Sequence, residues 1–221
     1  MNDASIQPAP GRITTIALCF CVAVLEGLDI QAIGVAAPKL GAELQLARDV
    51  LGRALASSNI GIVVGASLGG WLADRLGRKP VLIASVLIFG AFTLLTMYVH
   101  SFGGLFAARL GAGLGFGAAL PNLMAMAAEI SLPEKRSSTA TMMFCGLPLG
   151  GGTVAMISAL LPQQNWRTLF LIGGLAPLLL VPALMLLMRE TNSNHDRNFH
   201  LRRDPNAVWA IRRRLGVRAA G

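Results

Sequence analysis

Residues 70–79 read Gly-Trp-Leu-Ala-Asp-Arg-Leu-Gly-Arg-Lys and join two uncharged apolar segments, residues 54–73 and 80–99. Each segment has about the 20 residues that a helix needs to cross the hydrocarbon core of a bilayer. Pro80 follows at once, and proline is well tolerated in the first turn of a helix. The charged residues of this stretch therefore crowd a tight turn between two membrane-spanning helices.

Apolar segments of similar length continue on both sides of this turn. The chain is 54% apolar and only 14% charged, whereas soluble domains carry about 25% charged residues. We predict an all-α membrane protein with an N-terminus at 1–12, a six-helix bundle at 13–188 and a basic, disordered tail at 189–221. The six predicted spans are 13–37, 54–73, 80–99, 102–128, 138–161 and 168–188.

The distribution of basic residues predicts the orientation of the bundle. With the N-terminus inside, the cytoplasmic connections carry more Lys and Arg than the outer ones, as membrane proteins usually do. We therefore expect a multi-pass protein of a bacterial-type inner membrane with both termini in the cytoplasm. The net charge of +8 resides mostly in the tail, so we predict contact with the lipid bilayer and no nucleic-acid partner.

Three charged residues interrupt the apolar spans and are the candidates for function. Glu26 and Asp29 lie three residues apart in the first span, on one face of a helix. Arg109 is the lone cation inside the fourth span. A charged side chain at mid-helix costs about 2.5–3.5 kcal/mol on insertion scales, so such residues usually face a polar path and serve a function.

Several other patterns indicate packing rather than chemistry. Glycines recur at four-residue spacing in spans two, four and five, which lets helix backbones approach closely. Residues 111–117 superficially match a dinucleotide-binding loop, but they follow no strand. Because the sequence also has no metal-ligand spacing and no nucleophile with a plausible base, we predict neither an enzyme nor a metal or cofactor site.

With these residues in view, the chain resembles a known family. Residues 70–79 resemble the signature of the loop between helices two and three of the major facilitator superfamily, and residues 109–121 resemble its fourth-helix motif. Residues 26–31 resemble the first-helix acidic motif of the aromatic acid/proton symporters, which more often has Asp where Glu26 stands. The resemblance covers about residues 12–190 and implies one half, the amino-terminal six helices, of a major facilitator fold.

The resemblance implies roles for the charged residues of the spans. Glu26 and Asp29 would belong to proton coupling and the substrate path, with protons as the coupling ion. Arg109 has three possible roles: pairing with either acid, binding the carboxylate of a small aromatic acid, or tying helices one and four together structurally. Asn59 and Asn122 are weaker cavity candidates that could equally bond a neighbouring helix.

The resemblance also implies a cytoplasmic gate, in which charged helix ends latch together and part during transport. An inert surface network is the alternative reading of the same charges. The gate residues are Gly70, Asp74, Arg75, Gly77, Arg78, Lys79 and Glu129.

Members of this superfamily have two six-helix halves with the substrate between them. The sequence of this chain contains one half, so transport would need a second six-helix half or self-association. We predict uptake of aromatic carboxylates such as hydroxyphenylpropionate. The alternatives are half of a drug/proton antiporter, which residues 146–152 faintly resemble, and an inactive truncated fragment.

Overall fold

A computed structural model describes residues 11–160 and 165–188 of the chain, which form six long helices. Each helix is long and apolar enough to cross a membrane. Most of the predicted N-terminus and the whole predicted tail, residues 1–10 and 189–221, lie outside the described residues. The helices are α1 (Arg12–Glu43), α2 (Arg48–Leu76), α3 (Arg78–Thr96), α4 (Phe102–Ile130), α5 (Arg136–Leu160) and α6 (Trp166–Leu187), with a 3₁₀ turn at Pro133–Lys135.

The number and order of the spans agree with the sequence prediction, and the first helix extends beyond the predicted span. The predicted span ended at Ala37, whereas α1 continues through Pro38 to Glu43. Proline is tolerated inside membrane helices because neighbouring groups satisfy the freed carbonyl. With 32 residues, α1 is about 48 Å long at 1.5 Å per residue, which exceeds the thickness of the hydrocarbon core.

The turn at residues 70–79 is as tight as its sequence predicts. Gly77 alone separates the last residue of α2 from the first residue of α3. Its φ of 95° lies in the region that residues with a side chain rarely adopt. A residue with a Cβ would therefore strain this one-residue connection between two membrane spans.

Four of the six helices close into a ring, in which α1 packs on α4, α4 on α3, α3 on α6, and α6 back on α1. The other two helices flank this ring, α2 against α4 and α5 against α1. As a result, any side chain that points to the middle of the ring is removed from lipid on all sides.

Glycines line the contacts of the flanking helices, as the four-residue spacing predicts. A Cβ added at Gly65 or Gly117 would collide with the backbone of the facing helix across the α2–α4 contact. Gly27 and Gly150 have the same role between α1 and α5. These backbones pack in direct contact, so the packing interpretation of the glycines is confirmed.

The flanking helices also expose most of their apolar side chains. In the most apolar stretch of each helix, only 22% of the residues are buried in α2 and in α5, whereas 61% are buried in α4. Large hydrophobic residues such as Ile60, Val63 and Phe144 are about half exposed or more. The two flanks therefore present broad apolar surfaces to lipid or to another protein.

Candidate functional site

A buried ion pair lies between the first and fourth helices. Arg109 Nη2 donates to Asp29 Oδ2 at 3.0 Å, and the two side chains are 2% and 0% exposed. Of the two acids that the sequence offers as partners for Arg109, the structure selects Asp29. A charge-assisted hydrogen bond of this kind is about twice as strong as a neutral one.

The pair lies where the four ring helices meet. From α3, the Thr93 hydroxyl donates to Asp29 Oδ1 at 2.9 Å. From α6, Gly173 comes so close that a Cβ built on it would be 3.9 Å from the same oxygen. From the flanking helix α2, Ser58 Oγ accepts from Arg109 Nε at 3.2 Å. Both carboxylate oxygens of Asp29 are therefore hydrogen-bonded, each by a different helix.

Glu26 lies one turn before Asp29 and has a different environment. Its side chain is as deeply buried, at 1% exposure of the residue. Among the described residues, its Oε1 has no hydrogen-bond partner, and neither has Nη1 of Arg109. Buried polar atoms are nearly always paired in native structures, so an unpaired acceptor and an unpaired donor in one region call for a functional explanation.

The two asparagines proposed as weaker cavity candidates have unlike positions. Asn59 is exposed on α2. Asn122 is buried on α4, and its Nδ2 donates to the carbonyl of Ala118 in the same helix at 2.8 Å. Among the described residues, neither is hydrogen-bonded to the buried ion pair, whereas Ser58 and Thr93, which the sequence does not single out, both are.

At the predicted cytoplasmic end, one ion pair of the expected gate is formed. Arg78 Nε is 2.8 Å from Glu129 Oε1, and the two side chains are 28% and 38% exposed. Lys79 forms no ion pair with an acid of the described residues; its Nζ donates to the carbonyl of Met185 in the last turn of α6 at 2.8 Å. The first turn of α3 is thus joined to the ends of α4 and α6.

The other predicted gate residues take no part in the Arg78–Glu129 ion pair. Arg75 stacks over the ring of Trp71, with its guanidinium carbon 4.0 Å from the ring centroid. Asp74 is exposed, and within the described residues it forms no ion pair. Gly70 has open space where a side chain would be.

The opposite ends of the helices carry a contact that the sequence analysis missed. Arg167, at the start of α6, pairs with Glu43 at the end of α1 through both of its terminal nitrogens. Trp166 Nε1 donates to the same carboxylate at 2.7 Å, and Arg167 Nε donates to the carbonyl of Met97 at 3.0 Å. These contacts hold α1, α6 and the end of α3 together at this end of the bundle.

The comparison with known proteins agrees with this architecture. The sequence profile of the Major Facilitator Superfamily matches residues 19–218. The chain belongs to the major facilitator superfamily. The predicted fold, an all-α membrane protein whose six helices form one half of a major facilitator fold, is thereby confirmed, as is its multi-pass character.

The chain also matches named transporters in sequence. It is 43% identical to the 3-(3-hydroxy-phenyl)propionate transporter of Escherichia coli over 177 residues, which are 80% of this chain and 44% of the relative. It is 41% identical to the 4-hydroxybenzoate transporter PcaK of Pseudomonas putida, again over 80% of this chain and 40% of the relative. The predicted recognition of aromatic acid transporters is confirmed, and the chain spans less than half the length of these relatives.

Solved structures support the fold independently. The proton:xylose symporter XylE superposes with a TM-score of 0.73 at 18% identity, covering 81% of this chain and 45% of that chain. At this identity the likeness concerns the fold alone. The named relatives are transporters of small molecules and not enzymes, in agreement with the sequence prediction.

Proposed function

We propose that this chain is the amino-terminal half of a proton-coupled transporter that takes up aromatic carboxylates, with hydroxyphenylpropionate-like acids as substrates. We place it in a bacterial inner membrane with both termini in the cytoplasm. The relatives named for hydroxyphenylpropionate and hydroxybenzoate support the substrate class. The more basic connections on the inner side support the orientation.

The observation that carries this proposal is the buried Asp29–Arg109 pair with its free Arg109 Nη1. A guanidinium has donors in a planar fork, which suits it to bind a carboxylate in addition to the one it already contacts. The positive charge of the Arg109 guanidinium, which Asp29 balances in this structure, would also attract the carboxylate of a substrate. Binding and release of an organic anion can thus be coupled to the charge state of this cluster.

We assign the Arg78–Glu129 pair to a cytoplasmic gate. A partly exposed ion pair is worth only about 0–1 kcal/mol, so it can break in every transport cycle at little cost. The pair joins the start of α3 to the end of α4, and parting it would loosen the cytoplasmic end of the bundle. Asp74 and Arg75 are both exposed, with Arg75 stacked over Trp71, so both could reach groups of a second half, which supports their inclusion in the gate.

The second half of the cavity would come from another six-helix unit or from a second copy of this chain. Superfamily members bind substrate between two halves. The apolar surfaces of α2 and α5 support such a partner, because they are the least buried parts of the bundle. The antiporter reading is weaker, because Gly146 and Gly150 of the motif-like stretch pack against the backbone or side chains of α1.

Uptake measurements test the proposal. The chain is reconstituted in vesicles alone, and also with the remaining half of the Escherichia coli 3-(3-hydroxy-phenyl)propionate transporter as a separate polypeptide. Radiolabelled 3-hydroxyphenylpropionate should accumulate when the outside is acidic, and protons should move inward with it. Proton movement opposite to the substrate would favour an antiporter, and no flux in either preparation would favour an inactive fragment.

A matched pair of substitutions makes the uptake test specific. Asp29→Asn leaves Arg109 without its counter-ion and should abolish proton-driven uptake. Asp49→Asn removes an exposed carboxylate that pairs with Arg53 on the surface of α2 and should leave uptake unchanged. Normal pH-dependent uptake by the Asp29→Asn protein would contradict the proposed site.

A further inference from the structure

We infer that the Ser58 hydroxyl on α2 donates a hydrogen bond to the carboxylate of the substrate, with the positive charge of Arg109 behind it. This inference rests on the function proposed above and deepens it, because it names the group that the acid contacts first. Asp29, Thr93 and Arg109 are all buried, and Arg109 is only 1% exposed. Ser58 is the partly exposed member of the same hydrogen-bonded cluster, so a ligand that approaches from outside the bundle meets Ser58 before Arg109.

The close contact between α2 and α4 brings Ser58 to this position. Gly113 lies four residues after Arg109 and therefore on the same face of α4. A Cβ added at Gly113 would collide with the backbone of Ser58, so the two helices touch at this point. Because the backbones are so close, the short serine side chain reaches the guanidinium, and Arg109 Nε donates to Ser58 Oγ at 3.2 Å.

The Ser58 hydroxyl has a donor to spare. A serine hydroxyl can donate one hydrogen bond and accept two. The adjacent Ser57 uses its donor on the carbonyls of Ala54 and Phe106, at 2.7 and 3.0 Å. Ser58 accepts from Arg109, but its own O–H has no acceptor within residues 11–160 and 165–188. This O–H is therefore available to a ligand.

Arg109 makes the Ser58 hydroxyl a better donor to an anion. Hydrogen bonds in series polarise one another, and here the first donor of the series carries a positive charge. A second guanidinium nitrogen, Nη2, donates to Asp29 at 3.0 Å, while the buried Nη1 has no partner among the described residues. Because hydrogen bonds to ionised groups are about twice as strong as neutral ones, the site should favour a carboxylate over a neutral amide.

The competing explanation is that Ser58 only holds Arg109 in place. Its neighbour Ser57 offers a matched control for such a structural role. Ser57 is fully buried, at 0% exposure, and its hydroxyl joins α2 to the carbonyl of Phe106 on α4. Ser57→Ala thus removes a hydrogen bond from the same α2–α4 contact and leaves the bond between Ser58 and Arg109 intact.

Cysteine labelling tests the contact without a transport measurement. In a background that lacks the native cysteines, Ser58→Cys is prepared in the full chain, in lipid vesicles, alone and with the second polypeptide described above. A small water-soluble thiol reagent should label it. At about ten times the dissociation constant of 3-(3-hydroxyphenyl)propionate, about nine tenths of the sites are occupied, so labelling should slow about tenfold. The primary amide of the same acid, at the same concentration, should not slow it. The native cysteines are Cys19, Cys21 and Cys145.

Two labelling results would overturn the inference. If the Ser58→Cys variant is not labelled in either preparation, the position is out of reach of a ligand. If labelling proceeds equally fast with the acid, with the amide and with neither, no carboxylate binds there.

Uptake kinetics provide a second test, which does not depend on the cysteine variant. Ser58→Ala should raise the apparent KM for the acid about tenfold or more, because a hydrogen bond to a charged group is lost. The maximal rate should change by less than about twofold, since the lost interaction serves binding. Ser58→Thr keeps the hydroxyl and should restore the KM, and Ser57→Ala should leave it unchanged. An unchanged KM in Ser58→Ala, or an equal rise in Ser57→Ala, would contradict the inference.

The two tests separate this inference from the proposed function. If the unsubstituted two-part transporter takes up no aromatic acid but the acid still protects the Ser58→Cys variant, the proposed uptake fails and the carboxylate contact stands. If the transporter is active but the Ser58 variants show neither protection nor a change in KM, the contact fails and the proposed function stands.

Discussion

Replacing Thr93 by valine removes one hydrogen bond from the buried cluster and changes little else. Threonine and valine are both β-branched and have nearly the same shape, so the packing of α3 should persist. The substitution leaves Asp29 Oδ1 without the donor that now lies at 2.9 Å. Because Thr93 is fully buried, at 0% exposure of the residue, solvent water cannot replace its hydroxyl as a hydrogen-bond donor.

The size of the effect follows from two measured ranges. Hydrogen bonds to charged groups contribute about 1.5–3 kcal/mol in soluble proteins, whereas polar contacts between membrane helices average about 0.6 kcal/mol and reach about 1.7 kcal/mol. The acceptor here is a buried carboxylate with one remaining partner, so we expect the upper end of the membrane range. A loss of about 1.4 kcal/mol in the free energy of unfolding lowers the folding equilibrium constant about tenfold.

Reversible unfolding in mixed micelles of increasing SDS content measures this loss, with circular dichroism as the signal. Thr96→Val is a matched control on the same helix, because Thr96 is equally buried but donates to the carbonyl of Phe92 in its own helix at 3.0 Å. That carbonyl keeps its helical N–H, so the control should change the free energy of unfolding by less than about 0.5 kcal/mol. Equal effects of the two substitutions would refute the reasoning that Thr93 supports the Asp29 carboxylate.

Three further outcomes can be checked on the same protein. A double-mutant cycle of Arg78→Gln and Glu129→Gln should give a coupling of about 0.2–1 kcal/mol that shrinks with added salt; a larger, salt-independent coupling would speak against a gate that opens easily. Gly117→Ala should lower the free energy of unfolding by about 1–3 kcal/mol, because the added methyl group forces α2 and α4 apart. The control Gly52→Ala has open space around it and should raise the free energy of unfolding by up to about 1 kcal/mol. If Gly52→Ala destabilised the protein and Gly117→Ala did not, backbone contact at Gly117 would be ruled out. In a cysteine-free background, His100→Cys should react with an impermeant thiol reagent from outside intact cells; reaction only after permeabilisation would reverse the proposed orientation.

The sequence predicts the six spans and their tight second connection because both depend on local composition. It does not predict how far α1 extends beyond its span, because a proline that would stop a helix in water is tolerated at Pro38. The packing of Gly65 and Gly117 is also predictable, since small residues one turn apart have few other uses in a membrane helix. These features need no knowledge of which helix is the neighbour.

The site is predictable only in part, because it depends on how the helices are rotated against one another. Glu26 and Asp29 share one helical face. A rotation of α1 about its axis by less than the angle between successive residues therefore decides which of the two acids pairs with Arg109. Thr93 and Ser58 carry no signal of their own, since a hydroxyl in a membrane helix commonly bonds its own backbone. The adjacent Asn59 is the more polar residue, yet it is Ser58 that reaches Arg109.

The glycine contacts between α2 and α4 and between α1 and α5 have a consequence for surveys of mutational tolerance. In a library of every single substitution, positions such as Gly65, Gly117 and Gly150 should be as intolerant as Asp29, although they carry no charge and no transport chemistry. Intolerance would recur every four residues along these seams. A ranking by sensitivity alone would mistake this framework for the site, and the two classes separate only when folded yield is scored beside uptake.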